Sequence, residues 1–299
     1  MGVHVLDVLV RPVEAIPPGQ ETALVSDLRL TAAGTAGGTA LTLAKLGASV
    51  RSAGALGADA AGDLLVTLLQ RAGIDTAMLV RKDGVPTSAS VLPIRPNGER
   101  PSLHLLGANP FYGPDDVDFA AVAAADHLHL GAPELIGADN AARILRYAKD
   151  SGLTTSVDLI APGSLGSMDS IAAALPYVDY LLPNEDQVVG FTDAADLARG
   201  CQALLEAGVG LLAVTRGADG AVVVDRDSTV AVPAFAVDVV DTTGCGDAFS
   251  AGFIVGMALG RTPRAAAVLG SAAAALVAGG LGSDHGDFDL SAADAFAAT

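Results

Sequence analysis

The chain has 299 residues, 51% of them hydrophobic and 17% charged, which supplies a large α/β core and excludes a disordered or low-complexity protein. Lys and Arg number 17 against 34 Asp and Glu, and the resulting charge of −17, with no concentrated basic patch, argues against nucleic acid or an anionic membrane as a partner. Two cysteines, Cys201 and Cys245, lack metal-ligand spacing or a disulfide framework, and no secretory signal opens the chain, so a reducing, cytoplasmic setting is expected.

Residues 5–13 and 26–31 read as strands and 39–46 as a helix. Residues 88–95 and 102–106 then read as strands around Pro96-Asn97-Gly98-Glu99, a hairpin signal. Four strands around one helical segment predict a small β-sheet, built near residues 5–31 and 86–107, standing off one edge of an α/β body. A lid over a cleft is its natural use, because closure excludes water from a reactive phosphate. Arg95 and Arg100 flank the turn, where they either reach an anionic substituent or are simply solvated.

From residue 127 onward the pattern alternates. Strands at 127–130, 154–158, 177–182 and 211–215, with helices at 138–151 and 194–207, predict a parallel sheet covered by helices. His127 and His129 share one face of their strand, which suits a partly buried pair better than a metal site lacking a third ligand. Gly217-Ala218-Asp219-Gly220 turns the chain into a further β-rich run at 221–224, and helices at 247–259 and 263–278 complete the core. The uncharged stretch 265–283 is rich in Ala, Gly and Ser, so it reads as a buried helix entering a Gly-rich loop rather than a membrane span. No repeat or long linker divides residues 1–299, and a single domain is expected.

The most informative segment is Asp241-Thr242-Thr243-Gly244-Cys245-Gly246-Asp247-Ala248-Phe249-Ser250-Ala251-Gly252. Its small residues let the backbone approach a ligand, and the apolar run that follows makes Gly244, Cys245, Gly246 and Asp247 a helix start whose N–H groups form an anion site. A carboxylate at Asp247 can accept a hydroxyl proton during attack on a phosphoryl group; the alternative is an Asp that merely caps the helix. A Walker-type phosphate loop is excluded, since Lys45, Lys82 and Lys149 all lack the preceding glycine. Gly208-Val209-Gly210 follows a helix and opens a strand, the reverse of a dinucleotide fingerprint. Ser250 lies inside the helix and is no nucleophile elbow.

This segment closely resembles the C-terminal signature of the ribokinase-like (PfkB) carbohydrate kinases. Gly57-Ala58-Asp59-Ala60-Ala61-Gly62, Gly73-Ile74-Asp75, Pro86-Thr87, Asn97-Gly98-Glu99-Arg100, Gly107-Ala108-Asn109, Pro183-Asn184-Glu185 and Thr215-Arg216-Gly217-Ala218-Asp219-Gly220 agree in order and spacing. The resemblance implies a three-layer α/β core with a mainly parallel sheet and a β lid. It also implies ATP-dependent phosphorylation of a hydroxyl on a small sugar or sugar derivative, with a nucleoside as the second choice, Mg2+ as cofactor, K+ in several relatives, and a homodimer formed through the lid. By position, Asp247 would be the base, and Gly244, Cys245 and Gly246 the anion hole. Asn184, Thr215, Arg216, Gly217, Ala218, Asp219, Gly220 and Ser271 would line ATP. Asp7, Gly34, Gly38, Asn109 and Asp247 would surround the substrate, and Asp241, Thr243 and Gly282 would form a monovalent-cation loop.

Three departures shape the expectations. Relatives read Gly-Gly-x-x-Ala-Asn where this chain has Ala33-Gly34-Thr35-Ala36-Gly37-Gly38, so Gly38 replaces an amide that bonds a sugar hydroxyl and is expected to leave room for a bulkier substituent. Plain ribose should then be a poor substrate and a sugar with an extra or charged group a better one. Gln187 stands in the magnesium region where relatives carry a carboxylate, so weaker magnesium binding is expected, with Glu185 or Asp186 compensating. Together Gln187 and Gly38 leave open a ligand-binding regulator that has lost turnover. Gly2 aligns with the end of the family's first strand, so a short or missing opening strand is expected, as a downstream start or a trimmed chain would leave it.

Overall fold

Strand β1 (Val5–Arg11) runs antiparallel to β2 (Asp27–Ala33), with Leu6 opposite Ala32 and Val10 opposite Leu28. The computed structural model describes residues 1–96 and 99–299. After β2 come helix α1 (Gly37–Lys45) and a compact unit of β3 (Arg51–Gly57), α2 (Ala60–Arg71) and β4 (Asp75–Lys82), in which β3 and β4 pair in parallel. Strand β5 (Ala89–Pro93) returns to pair in parallel with β1, and β6 (Leu103–Leu105) pairs antiparallel with β5. The small sheet therefore has the order β2-β1-β5-β6. Its four strands match the expected set to within two residues at each end, and the β3-α2-β4 unit between them is an addition. Asn97 and Gly98 of the expected hairpin turn lie outside the described residues.

Helix α3 (Phe119–Ala123) leads into β7 (His127–Gly131), which is followed by α4 (Pro133–Ile136), α5 (Ala138–Asp150), β8 (Thr154–Asp158) and α6 (Met168–Ile171). Next come β9 (Tyr180–Leu181), α7 (Glu185–Thr192), α8 (Leu197–Glu206) and β10 (Leu211–Thr215). These four strands are all parallel, while β11 (Ala221–Val224) and β12 (Thr229–Val232) extend the sheet antiparallel in the order β12-β11-β10-β9-β8-β7. Two expectations change. The strand at 177–182 shrinks to two residues because Pro176 drives a tight 3-10 turn over Leu175–Tyr177. The helix expected at 194–207 is α8, starting later at Leu197 because Asp196 caps it, and α7 is an additional helix before it, ended where Asp193 takes a left-handed conformation.

Strand alternation makes the layers. Leu212 and Val214 pack with Leu130, Val157, Leu181 and the α5, α7 and α8 side chains Ile144, Val188 and Leu204. Their neighbours Leu211 and Ala213 point the other way, onto Phe249 and Phe253 of α9 (Cys245–Ala258) and Ala266 and Ala267 of α10 (Pro263–Ala278). Helix α11 (Leu290–Ala297) closes the chain against α10. The stretch once weighed as a span is thus core helix, and among the described residues no helix is long and apolar enough to cross a membrane. Before β1, Gly2 makes an isolated parallel bridge to Gly131. The Gly2 N–H donates to Ala53 O at 2.9 Å and the Gly131 N–H to Met1 O at 2.9 Å, so two residues join β3 to β7. Where this bridge stops, a cavity of about 400 Å³ lies between the two strands, lined by Met1, Leu43, Ser52, His127 and Ile254 among others.

Candidate active site

The parallel strands deliver their C-terminal ends to one rim, the place where such sheets bind ligands. At that rim Gly244 has a φ of +79°, and a Cβ on it would collide with Ser283, so only glycine makes the turn into α9. Ala248 is the first residue whose N–H reaches a helical carbonyl, Gly244 O at 2.8 Å. The Cys245 N–H turns back to Thr242 O at 3.3 Å. Among the described residues no protein acceptor takes the N–H groups of Gly244, Gly246 and Asp247. Of the expected anion hole, the N–H groups of Gly244 and Gly246 are open, that of Cys245 is given to the turn, and that of Asp247 is open beside them. Burial and the Asp241 charge push the Cys245 thiol up to about 12, so it stays neutral.

Asp247 sits on the first turn of α9 with its carboxylate enclosed, although the residue as a whole is only half-buried. The carboxylate lies directly over Gly38 on α1, where a Cβ would strike Oδ2 and come within 2.7 Å of Cγ. The expectation that Gly38 leaves room for a bulky substituent is therefore overturned, because the Asp247 carboxylate fills that room. Burial raises its pKa to about 7, the Asp7 charge adds to the rise, and Arg100 opposes it. Asp7, on β1, is raised to about 6, first by burial, with the Ser90 hydroxyl and Arg100 pulling it down and Asp241 pushing it up. Arg100 comes from the segment between β5 and β6, and its Nε donates to Thr242 Oγ1 at 3.2 Å. One guanidinium thus serves Asp7, Asp247 and Cys245, while Arg95 is paired with Glu99 at 2.6 Å and does not join it.

Two further carboxylates were not singled out in the sequence: Asp158, near enough to feel the Asp247 charge, and Glu134, which neighbours Asp158. Asp158 ends β8, accepting the Leu159 N–H at 2.8 Å and the Ser250 hydroxyl at 3.4 Å. Burial lifts its pKa well above the carboxylate range, and the charges of Asp247 and Glu134 lift it further. Glu134, on α4, accepts the Ile160 N–H at 2.6 Å through Oε1, leaves a buried Oε2 without a partner, and is raised by burial to about 7. A strand-end position was a usable signal for Asp158. Nothing local marked Glu134.

Other expected residues find different work. Gln187 is buried and fully engaged: Oε1 accepts the Asn184 N–H at 2.7 Å, and Nε2 donates to Leu159 O at 2.7 Å and Ile160 O at 2.8 Å. It clamps the loop after Asp158; Glu185, one of the compensating carboxylates, is paired with Arg216 at 3.0 Å. Asn109 spends both ends of its amide on His4, accepting from its N–H at 3.1 Å and donating to its carbonyl at 3.0 Å. It holds a loop against β1 instead of facing a substrate. Gly34, with φ of +88°, makes the turn between β2 and α1.

Asn184 caps α7 through Gln187 N at 2.8 Å and bridges to Thr215, so these two stand together at the ends of β9 and β10. Arg216 follows, then the 3-10 turn of Gly217, Ala218 and Asp219, then Gly220. Ser271 is buried on α10. His127 and His129 share the Ser156 hydroxyl, each at 2.8 Å, and among the described residues no cluster of three or more His, Cys, Asp or Glu could hold a metal.

Asp241, Thr243 and Gly282 do come together. Asp241 Oδ1 accepts the Thr243 N–H at 3.0 Å and its hydroxyl at 2.8 Å, and Oδ2 accepts the Gly282 N–H at 2.9 Å. The carboxylate is 1% exposed and already surrounded by donors. Three donors thus hold the Asp241 carboxylate, tying Thr243 and Gly282 together at the start of α9.

The model for pfkB family carbohydrate kinases matches residues 3–287. An ATP-dependent ribose-1-phosphate kinase from Halopiger xanaduensis is 32% identical over 249 residues, which cover 83% of this chain and 80% of that protein. A deoxyribokinase from Salmonella typhi is 29% identical over 258 residues, covering 83% and 81%. The structure of Arabidopsis thaliana ribokinase complexed with ribose and ATP has a TM-score of 0.82 at 23% identity, covering 100% of this chain and 97% of that one, and this likeness carries the fold.

The Gln187 clamp makes a direct prediction. Gln187→Glu sets a carboxylate against the Leu159 and Ile160 carbonyls, so equilibrium denaturation should show a loss of about 1–3 kcal/mol. Unchanged or increased stability would return Gln187 to the magnesium region.

Proposed function

The chain belongs to the pfkB family of carbohydrate kinases and has the ribokinase fold, and from that premise we propose that it transfers the γ-phosphoryl group of ATP to a hydroxyl of a small sugar bearing an anionic substituent. The observation that carries this reading is the Asp247 carboxylate held at the unpartnered N–H groups that open α9. As the sugar oxygen bonds to the γ-phosphorus and the bond to the β-phosphate oxygen breaks, Asp247 takes the hydroxyl proton. The N–H groups of Gly244, Gly246 and Asp247 face the charge on the transferring group. Asn184, Thr215, Arg216, Gly217, Ala218, Asp219, Gly220 and Ser271 are proposed along the nucleotide, and Asp7 grips a sugar hydroxyl.

Mg2+, when bound, neutralises charge on the nucleotide phosphates. The donor set fits it: Glu134 Oε2 is buried without a partner, and Asp158 beside it has a carboxylate that burial makes costly to ionise alone. These two replace Gln187 as the carboxylates proposed for the magnesium region. Arg100 is proposed to read the anionic group of the sugar, since a guanidinium matches a phosphate with two parallel hydrogen bonds. The similarity to a ribose-1-phosphate kinase runs in the same direction. The lid sheet supports a dimer. Leu30, Val8, Val91 and Leu103 line up across its four strands, and Leu28, Leu30, Val91, Leu103 and Leu105 are exposed on that sheet, an open apolar face that a second copy would cover. The cytoplasm, with its ATP and its reduced thiols, is the proposed location.

Asp247→Asn keeps shape and hydrogen-bonding reach but removes the base, so kcat should fall by roughly 10²–10⁴-fold while ATP affinity by calorimetry persists. Because burial puts the Asp247 pKa near 7, the ionised base is lost as pH falls, and wild-type kcat/KM should drop about tenfold per unit below that value and level off above it. A variant retaining more than about a tenth of wild-type kcat would remove Asp247 from this role. In a panel of sugars and sugar phosphates, phosphate-bearing substrates should give the higher kcat/KM. Arg100→Gln should erode that preference by about tenfold or more, the worth of a charged hydrogen-bond pair. Plain ribose as the best substrate would contradict the anionic reading alone.

A further inference from the structure

Lys45 ends α1, and its ammonium donates to three successive backbone carbonyls: Asp284 O at 2.8 Å, His285 O at 2.7 Å and Gly286 O at 2.6 Å. The Phe288 ring lies 4.8 Å from the same nitrogen. An ammonium has three donors, and here all three meet carbonyl oxygens. The arrangement is that of a small cation held by convergent carbonyls, with the cation supplied by the chain.

The loop that Lys45 gathers is the back wall of the α9 N-terminus. Gly282 binds the Asp241 carboxylate, Ser283 abuts Gly244 closely enough to forbid a Cβ there, and the Ser283 hydroxyl donates to Ala32 O at 2.8 Å. Arg29 pairs with the Asp284 side chain at 3.0 Å, and Leu281 packs on Leu9, Leu92 and Ile94 of the lid sheet. Residues 281–286 therefore touch the lid, α1 and the turn that aims the free N–H groups. The loop carries a carbonyl cage for a cation, and the cage is filled by Lys45, while the carboxylate at Asp241 is filled by hydrogen-bond donors.

We propose that Lys45 is a positioning residue that acts as a built-in monovalent cation, ordering residues 282–286 behind Gly244 so that the anion site is set without added K+. The inference rests on the kinase reading for its consequence in turnover and on geometry alone for its consequence in loop order.

The test compares the wild type with Lys45→Met, which keeps the apolar stem and removes the ammonium. Wild-type kcat should change less than about twofold when K+ is replaced by tetramethylammonium, whereas Lys45→Met should lose about tenfold or more in K+-free buffer, since small displacements of a reacting group cost that much. Methylammonium or K+ should restore part of that loss. Amide hydrogen exchange of residues 282–286 gives a readout independent of turnover: protection should fall in Lys45→Met and return with methylammonium. Strong K+ activation of the wild type would overturn the proposal, as would full activity and protection in Lys45→Met, or a loss that no cation rescues. If Lys45→Met fails to fold, the cation response of the wild type decides. If the wild type phosphorylates no sugar, the kinase reading fails and the exchange result still decides the role of Lys45.

Discussion

A single steric constraint organises the site: the Asp247 carboxylate occupies the space above Gly38 where any side chain would have to be. That contact sets α1 against the start of α9. The turn at Gly244 aims α9, Ser283 backs the turn, and the loop behind Ser283 is tied to α1 by Lys45. With no side chain at Gly38, the Asp247 carboxylate packs directly on α1, and Ser283 and Lys45 back the turn and the loop behind it.

The second organising force is electrostatic. Asp7, Asp247, Asp158 and Glu134 crowd a poorly solvated region, and burial raises each of their pKa values, so their ionised forms are held at a cost. Arg100 is the cation the lid brings to Asp7 and Asp247, and it lies at the exposed rim. Such a site favours cationic or cation-accompanied ligands and a base that gains its proton readily near neutrality. A strongly acidic chain can still receive polyanions here, because exposed N–H groups, one guanidinium and a nucleotide-borne dication supply local positive potential.

The segment from Asp241 to Gly252 was legible because local chemistry defines it: small residues, a glycine turn and an apolar helix in sequence order. The parallel sheet was legible from alternation at β7, β8 and β10. Strand β3 was not, since Arg51-Ser52-Ala53-Gly54-Ala55-Leu56-Gly57 has no β-branched or aromatic residue, and its strand state comes from pairing with β4 and Gly2. Asn109 and Gln187 were misread because their partners, His4 and the loop after Asp158, lie far away in sequence. Glu134 and Lys45 were missed for the same reason: a lone charged residue acquires its meaning from backbone groups that only the fold brings to it.

The central claim is that in this chain Asp247, seated directly against Gly38, is held at its working position by that contact. The most direct measurement is the single-turnover rate of phosphoryl transfer in Gly38→Ala, with ATP affinity and melting temperature measured on the same protein. The account predicts a folded protein that binds ATP normally yet transfers the phosphoryl group about a hundredfold more slowly, the cost of moving a reacting group by about 1 Å. A Gly38→Ala protein that transfers it at the wild-type rate would contradict the account.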